Sequence, residues 1–239
     1  MSGYPPHPMA QTKLPVLLVH GFASSFERSW RDTGWVDLLA EAGREVLAVD
    51  LLGHGTADKP HDPEAYRELG SGVRDALPAK GRVDAVGFSL GAGLLLEVAA
   101  AAPERFEHLV VGGVGASLFR EGDTEPAARA VLAGEADDDA SGAAQAFARF
   151  ASAPGNDRAA LAACLRRPAT RLDPSVLASV GCPVLVVLGD EDFAGPADPL
   201  VDALPNATVV ILHGVDHFAT AKDFRFLDHA LRFLGAEPA

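Results

Sequence analysis

The sequence predicts an α/β fold: a mostly parallel central sheet of about six strands flanked by helices, with a small helical insertion. Three observations carry this. Short runs rich in Val, Leu and Ile alternate with longer Ala-rich stretches. Most of those runs are apolar at consecutive positions, the pattern of strands covered on both faces, as in parallel sheets. The alternation lapses only once, in the middle of the chain.

Taken in order, the strand-like runs are Val16–Val19, Val46–Val49, Val83–Gly87, Leu109–Val111, Val184–Leu188 and Thr208–Leu212. Between them Trp35–Ala42, Tyr66–Leu77, Leu90–Ala101 and Phe218–Leu234 read as helices. From about Leu118 to Val180 no strand is convincing. That stretch holds helical patches at Thr124–Leu132, Ala143–Ala151, Asp157–Arg167 and Pro174–Val180, punctuated by Gly122, Gly134, Gly142, Pro154, Gly155 and Pro168. It is too small for a comfortable second domain. We therefore expect residues 1–117 and 181–239 to form the core and 118–180 a helical cap inserted between two core strands.

At 239 residues the chain can bury one sizeable core. Apolar residues at 48% and charged residues at 22% exclude a disordered chain. The net charge of −13, from 33 acidic and 20 basic residues, would repel nucleic acid and anionic lipid. The expected partner is a small molecule, not nucleic acid or membrane. The opening stretch from Met1 to Lys13 carries Tyr4-Pro5-Pro6-His7-Pro8 and lacks the apolar core of a secretory signal. The most apolar segment, Leu94–Ala102, is interrupted by Glu97 and falls far short of the roughly 20 residues that span a bilayer. A cytoplasmic location follows, in which Cys164 and Cys182 would be reduced and buried. No metal or organic cofactor is implied, for there is no His/acid cluster at ligand spacing, no paired-Cys zinc pattern and no G-x-x-x-x-G-K-[ST] loop.

The sharpest chemical motif is Gly87-Phe88-Ser89-Leu90-Gly91, set between the strand ending at Val86 and a long apolar helix. It matches G-x-S-x-G in the strand–turn–helix context that a nucleophilic serine needs. A sharp turn projects the hydroxyl, the flanking glycines make room for the cramped backbone, and the helix start favours developing negative charge. The bland alternative is a serine that only N-caps the helix.

With this motif the sequence resembles the α/β-hydrolase family, in its serine esterase and lipase-like branch, from about Leu14 to Leu234. The order of motifs, serine before acid before histidine, is that of the family. The chain departs from it in having only about a dozen residues before Leu14, so the family's opening hairpin would be missing. The resemblance implies that His217, in Gly214-Val215-Asp216-His217-Phe218 after the last strand, is the base. The acid lies in Gly189-Asp190-Glu191-Asp192, where spacing alone leaves it open. The family pattern, Gly-x-x-Asp, points to Asp192, leaving Asp190 a turn residue. His20-Gly21-Phe22 resembles the family's oxyanion loop, so the Phe22 and Leu90 amides would be the donors, with His20 bracing the loop. Asp50-Leu51-Leu52-Gly53-His54-Gly55 resembles a further family turn near the cleft.

The expected function is ester or related acyl hydrolysis through an acyl-enzyme on Ser89. The same three residues could serve thioesters, carbon–carbon bonds, peracid formation or a lyase step, and a fold alone does not choose. A small-ligand receptor on the same scaffold is the rival from another class. Phe119, Phe147 and Phe150 of the insertion, with Phe22, Phe88 and Leu90, are candidates for an apolar pocket or for plain core. Trp30 and Trp35 either flank the oxyanion loop or anchor the first helix. Gly93 suggests close packing of its helix on the sheet.

Overall fold

A computed structural model describes residues 13–120, 122–135, 142–168 and 171–237. The opening segment read for a signal lies outside these residues, except for Lys13. Six strands form one all-parallel sheet: β1 (Val16–Val19), β2 (Val46–Val49), β3 (Val83–Phe88), β4 (Phe106–Gly112), β5 (Val184–Gly189) and β6 (Ala207–Leu212), in the order β2-β1-β3-β4-β5-β6.

Consecutive apolar residues divide between two layers. Leu17, Val19, Ala85, Val111 and Val186 pack into a cluster on one face. Val16, Leu18, Val86, Val110 and Val187 pack into another on the opposite face, with Trp30, Trp35 and Phe226. Both tryptophans are thus core anchors, meeting edge to face at 5.0 Å, rather than flanks of the His20-Gly21-Phe22 loop. The two-sided cover thins at the sheet edges, where Val209 and Ile211 of β6 are exposed.

The flanking helices are α1 (Trp35–Glu41), α2 (Ser71–Asp75), α3 (Leu90–Ala101), α7 (Asp198–Ala203), α8 (His217–Thr220) and α9 (Phe224–Phe233), and the insertion contributes α4 (Glu125–Ala133), α5 (Gly142–Ala151) and α6 (Arg158–Leu165). The helix α3 is apolar nearly all round because it is buried nearly all round, Leu94, Leu95, Leu96 and Val98 being enclosed. The helices α4, α5 and α6 make a small core of their own from Ala128, Val131, Ala151 and Leu161, closed against Ala23.

Two helices differ from expectation. The helix expected over Tyr66–Leu77 is a 3-10 turn at Pro63–Tyr66 followed by the short α2, with Gly70 and Gly72 at and just inside its start. The helix expected over Phe218–Leu234 is broken between α8 and α9, because Asp223 restarts it by accepting the Arg225 amide as N-cap. Among the described residues no helix is long and apolar enough to cross a membrane. Cys164 is buried and Cys182 half-buried, and both are free.

Candidate active site

The strand order reverses its direction of travel between β1 and β3. The chain leaves β1 toward β2 and returns on the other side to β3. In open parallel sheets the crevice outside the carboxyl ends of the strands at such a point is where ligands bind. Here the loops after β1 and β3 carry His20-Gly21-Phe22 and Ser89. The register sets Val19 opposite Gly87, so the two loops leave the sheet side by side.

Glycine is required where they meet. A Cβ on Gly91 would stand 2.5 Å from the His20 carbonyl oxygen and nearer still to that of Val19. One on Gly87 would stand 2.7 Å from Leu95 Cδ1 and 2.8 Å from Ala92 Cα. Gly93 does not pack on the sheet as expected; a Cβ there would meet only Leu118 Cδ2, at 3.3 Å.

Ser89 occupies the tip of the turn with φ +51° and ψ −114°, a left-handed conformation costly for a side chain. Its amide donates to the Gly112 carbonyl at 2.8 Å, tying the turn to the end of β4. Ser89 stands at the N-cap position of α3, yet its side chain makes no capping bond. The Oγ instead lies 2.9 Å from Nε2 of His217.

His217 is 3% exposed, and its Nδ1 faces both carboxylate oxygens of Asp192, at 2.9 and 3.0 Å. Asp192 is 8% exposed and also accepts the Ala194 amide at 2.8 Å. With Nδ1 donating to the carboxylate, Nε2 presents a lone pair to the serine hydroxyl. Asp190 has other partners: it accepts the Gly214 amide at 2.7 Å and lies 3.0 Å from Nδ1 of the exposed His213. His213 and these amides hold its carboxyl below the usual range, and it pins the loop that leads to His217. Asp216, next to His217, caps α8 through the Ala219 amide.

Among the described residues, neither the Phe22 nor the Leu90 amide is met by a protein acceptor. His20 explains how the first is aimed. Its Nδ1 donates to the Gly21 carbonyl at 2.8 Å, and its Nε2 accepts the Leu51 amide at 3.1 Å. The Gly21 carbonyl and Phe22 N–H belong to one planar trans peptide, so holding the oxygen on one side turns the N–H to the other. Burial holds the His20 pKa down, keeping the neutral tautomer these two bonds need. His54 lies behind, 5.3 Å from His20 and 5.6 Å from Phe22 between ring centres, and burial pushes its pKa down to about 3. Asp50 closes the turn by accepting the Phe26 and Thr56 amides, each at 2.7 Å.

Two chambers open from Ser89, of about 520 and 540 Å³. Phe22, Ser89, Phe147 and His217 line both. Phe88 and Phe150 line the first and Leu90 the second. Phe119 lines neither and packs against the core. Sequence reasoning missed Phe193, whose ring lies 4.3 Å from that of His217. Standing one residue after Asp192, it is an aromatic that no periodicity marks. It also missed Gly113, where a Cβ would stand 3.1 Å from His217 Cε1.

A family model described as the alpha/beta hydrolase family matches residues 16–234. The chain is an α/β hydrolase. This hydrolase is 37% identical over 109 residues to a 2-hydroxymuconate semialdehyde hydrolase of Pseudomonas putida, a stretch covering 44% of this chain and 38% of that protein. It is 33% identical over 104 residues to a Mycobacterium tuberculosis protein, covering 42% of this chain and 29% of that one. The alignments thus span well under half the length of these curated relatives. Among solved structures it resembles a serine hydrolase involved in carbazole degradation, with 26% identity, a TM-score of 0.69, and coverage of 95% of this chain and 92% of that one. A Bacillus anthracis bromoperoxidase shares its fold at 24% identity and a TM-score of 0.73, covering 95% of this chain and 93% of that one.

Proposed function

We propose that this α/β hydrolase cleaves carboxylic esters of small molecules through an acyl-enzyme on Ser89, with His217 as base and Asp192 as the acid that orients it. The observation that carries the reading is the continuous run of contacts from Ser89 Oγ through the His217 ring to Asp192, each about 3 Å and enclosed, beside two unmet amides.

In this mechanism the Ser89 hydroxyl gives its proton to Nε2 of His217 as its oxygen attacks the ester carbonyl. The Phe22 and Leu90 amides take up the charge on the carbonyl oxygen. Asp192 stabilises the imidazolium, which then protonates the departing alcohol. A water gives its proton to Nε2 and attacks the acyl-serine, and the imidazolium returns a proton to Ser89 as the acid leaves. Residues 118–180 act as a cap over this cleft, supported by the place of Phe147 and Phe150 in its walls. The free cysteines fit a reducing compartment, and we place the enzyme in the cytoplasm.

The test is a panel of p-nitrophenyl esters of rising acyl length, followed for a burst of p-nitrophenol equal to the enzyme concentration. A burst lost in Ser89→Ala supports the reading; no turnover on any ester speaks against it. The names of the pseudomonad and carbazole-pathway proteins favour a second reading, hydrolysis of a carbon–carbon bond by the same residues. Faster consumption of 2-hydroxymuconate semialdehyde than of every ester would select it.

A further inference from the structure

We infer that the substrate has two unlike arms on either side of its scissile carbonyl, one apolar and one carrying a carboxylate, and that Arg120 and Arg167 receive the carboxylate. This rests on the serine-hydrolase reading above and adds the substrate class. A carbonyl held at Ser89 has two substituents, and two chambers diverge from Ser89. Phe147 lines both, standing edge-on to Phe22 at 5.5 Å and to Phe193 at 6.2 Å. Beyond the four residues that they share, the two chambers have different walls, one for each substituent.

The chambers differ in chemistry. The first is walled by Phe22, Phe88, Phe147, Phe150 and Phe218. Its charged residues are Arg28, Asp32 and Lys222, and Arg28 is committed to the insertion, donating to the Pro154 carbonyl and to Asn156 Oδ1. The second chamber is lined by Arg120, Arg167 and Arg171, with Glu97 as the single acid among its described residues. That is a local excess of positive charge in a chain whose net charge is −13.

The way the arginines are held sharpens the point. Arg166, next in sequence, spends its guanidinium on both oxygens of Glu125, each at 2.8 Å. Arg120 and Arg167 are instead anchored by neutral carbonyls, those of Gly195 and Cys164. A carbonyl positions a guanidinium without cancelling its charge, and each anchor uses one of five N–H donors. Glu97 offsets part of the Arg167 charge, but burial pushes the Glu97 carboxyl up toward its neutral form. Such a group beside a reaction cleft is suited to a carboxylate.

The test is binding to the Ser89→Ala protein, so that chemistry plays no part. Calorimetry compares hexyl hemiglutarate, with its acid on the acyl side, and hexanoyloxybutyrate, with its acid on the alcohol side, each against its methyl-capped neutral counterpart. At least one acid is expected to bind about tenfold tighter than its neutral counterpart at low salt. The advantage should shrink as salt rises from about 20 to about 500 mM. Adding Arg120→Gln and Arg167→Gln should bring the two affinities to within about threefold. Equal affinity of acid and neutral ester in both arrangements, or no binding by any of the four, overturns the inference without recourse to the arginine variants. A preference that survives in a folded double variant overturns the assignment to these arginines. Fluorophosphonate labelling of the unmutated protein judges the serine reading separately, so labelling with no acid preference would sink this inference alone.

Discussion

Replacing Asp192 by Asn tests the electrostatic half of the site more sharply than any deletion, because the shape is nearly unchanged. The carboxylate accepts from His217 Nδ1 at 2.9 and 3.0 Å in a nearly closed environment. An amide there offers N–H donors, which favour an imidazole whose Nδ1 accepts and whose Nε2 carries the proton. That ring cannot take the Ser89 proton across the 2.9 Å contact. Turnover should fall about 10⁴-fold, equivalent to about 5 kcal/mol of activation free energy. Asp190→Asn is the matched control, since this exposed carboxylate only holds His213 and the loop amides. Its turnover should stay within about threefold of the unmutated enzyme, as for other surface changes away from the chemistry. The assay is steady-state hydrolysis of a short p-nitrophenyl ester at saturating substrate, with melting curves to confirm folding. An Asp192→Asn enzyme keeping a tenth of its turnover, or an Asp190→Asn enzyme losing as much as Asp192→Asn, would refute the assignment.

His20→Leu removes the bond that turns the Gly21–Phe22 peptide, and kcat should fall by up to ~10² with KM little changed, since a misdirected oxyanion donor weakens the transition state above all. His20→Asn, whose amide can again donate to the Gly21 carbonyl, should recover part of the loss; a folded Leu variant with full kcat would contradict this. Gly91→Ala forces a Cβ into two main-chain carbonyls and should cost ~3 kcal/mol or more in urea unfolding, whereas Gly93→Ala meets only a leucine methyl and should be tolerated. Buried His20 and His54 have folded pKa values below 6.5, that of His54 about 3, so the unfolded chain binds their protons more readily. Their contribution is full above pH 6.5 and is lost as pH falls through each folded pKa, for His54 toward 3 at roughly 1 kcal/mol per pH unit. Urea midpoints at several pH values from neutral to mildly acidic should show the slope and its flattening in His54→Gln; equal slopes in both proteins would contradict it.

Much of the fold was legible because β1, β3 and β5 are buried on both faces, and Val-Leu-Leu-Val or Val-Leu-Val-Val-Leu has no other comfortable place. Ser89 was nameable from its strand–turn–helix motif, and His217 and Asp192 from the family resemblance; the structure brings the three within hydrogen-bond reach from the ends of β3, β6 and β5. What escaped depends on contacts that no local pattern encodes. The break before α9 turns on Asp223 capping a new helix inside an apolar-periodic run, and α7 is too short to show a period. Gly93 and Gly91 are alike in sequence, yet only Gly91 faces main chain from β1. Phe193 reaches His217, and Arg120 and Arg167 reach the second chamber, only through the path of segments that follow no motif.

The most direct measurement is peptide mapping by mass spectrometry after brief exposure to a fluorophosphonate. An activated hydroxyl beside His217 should yield one adduct, on Ser89, absent from Ser89→Ala and formed far more slowly in His217→Gln. An intact, folded protein that stays unlabelled, or that is labelled at the same rate without His217, would contradict the transfer of a proton from Ser89 to that imidazole.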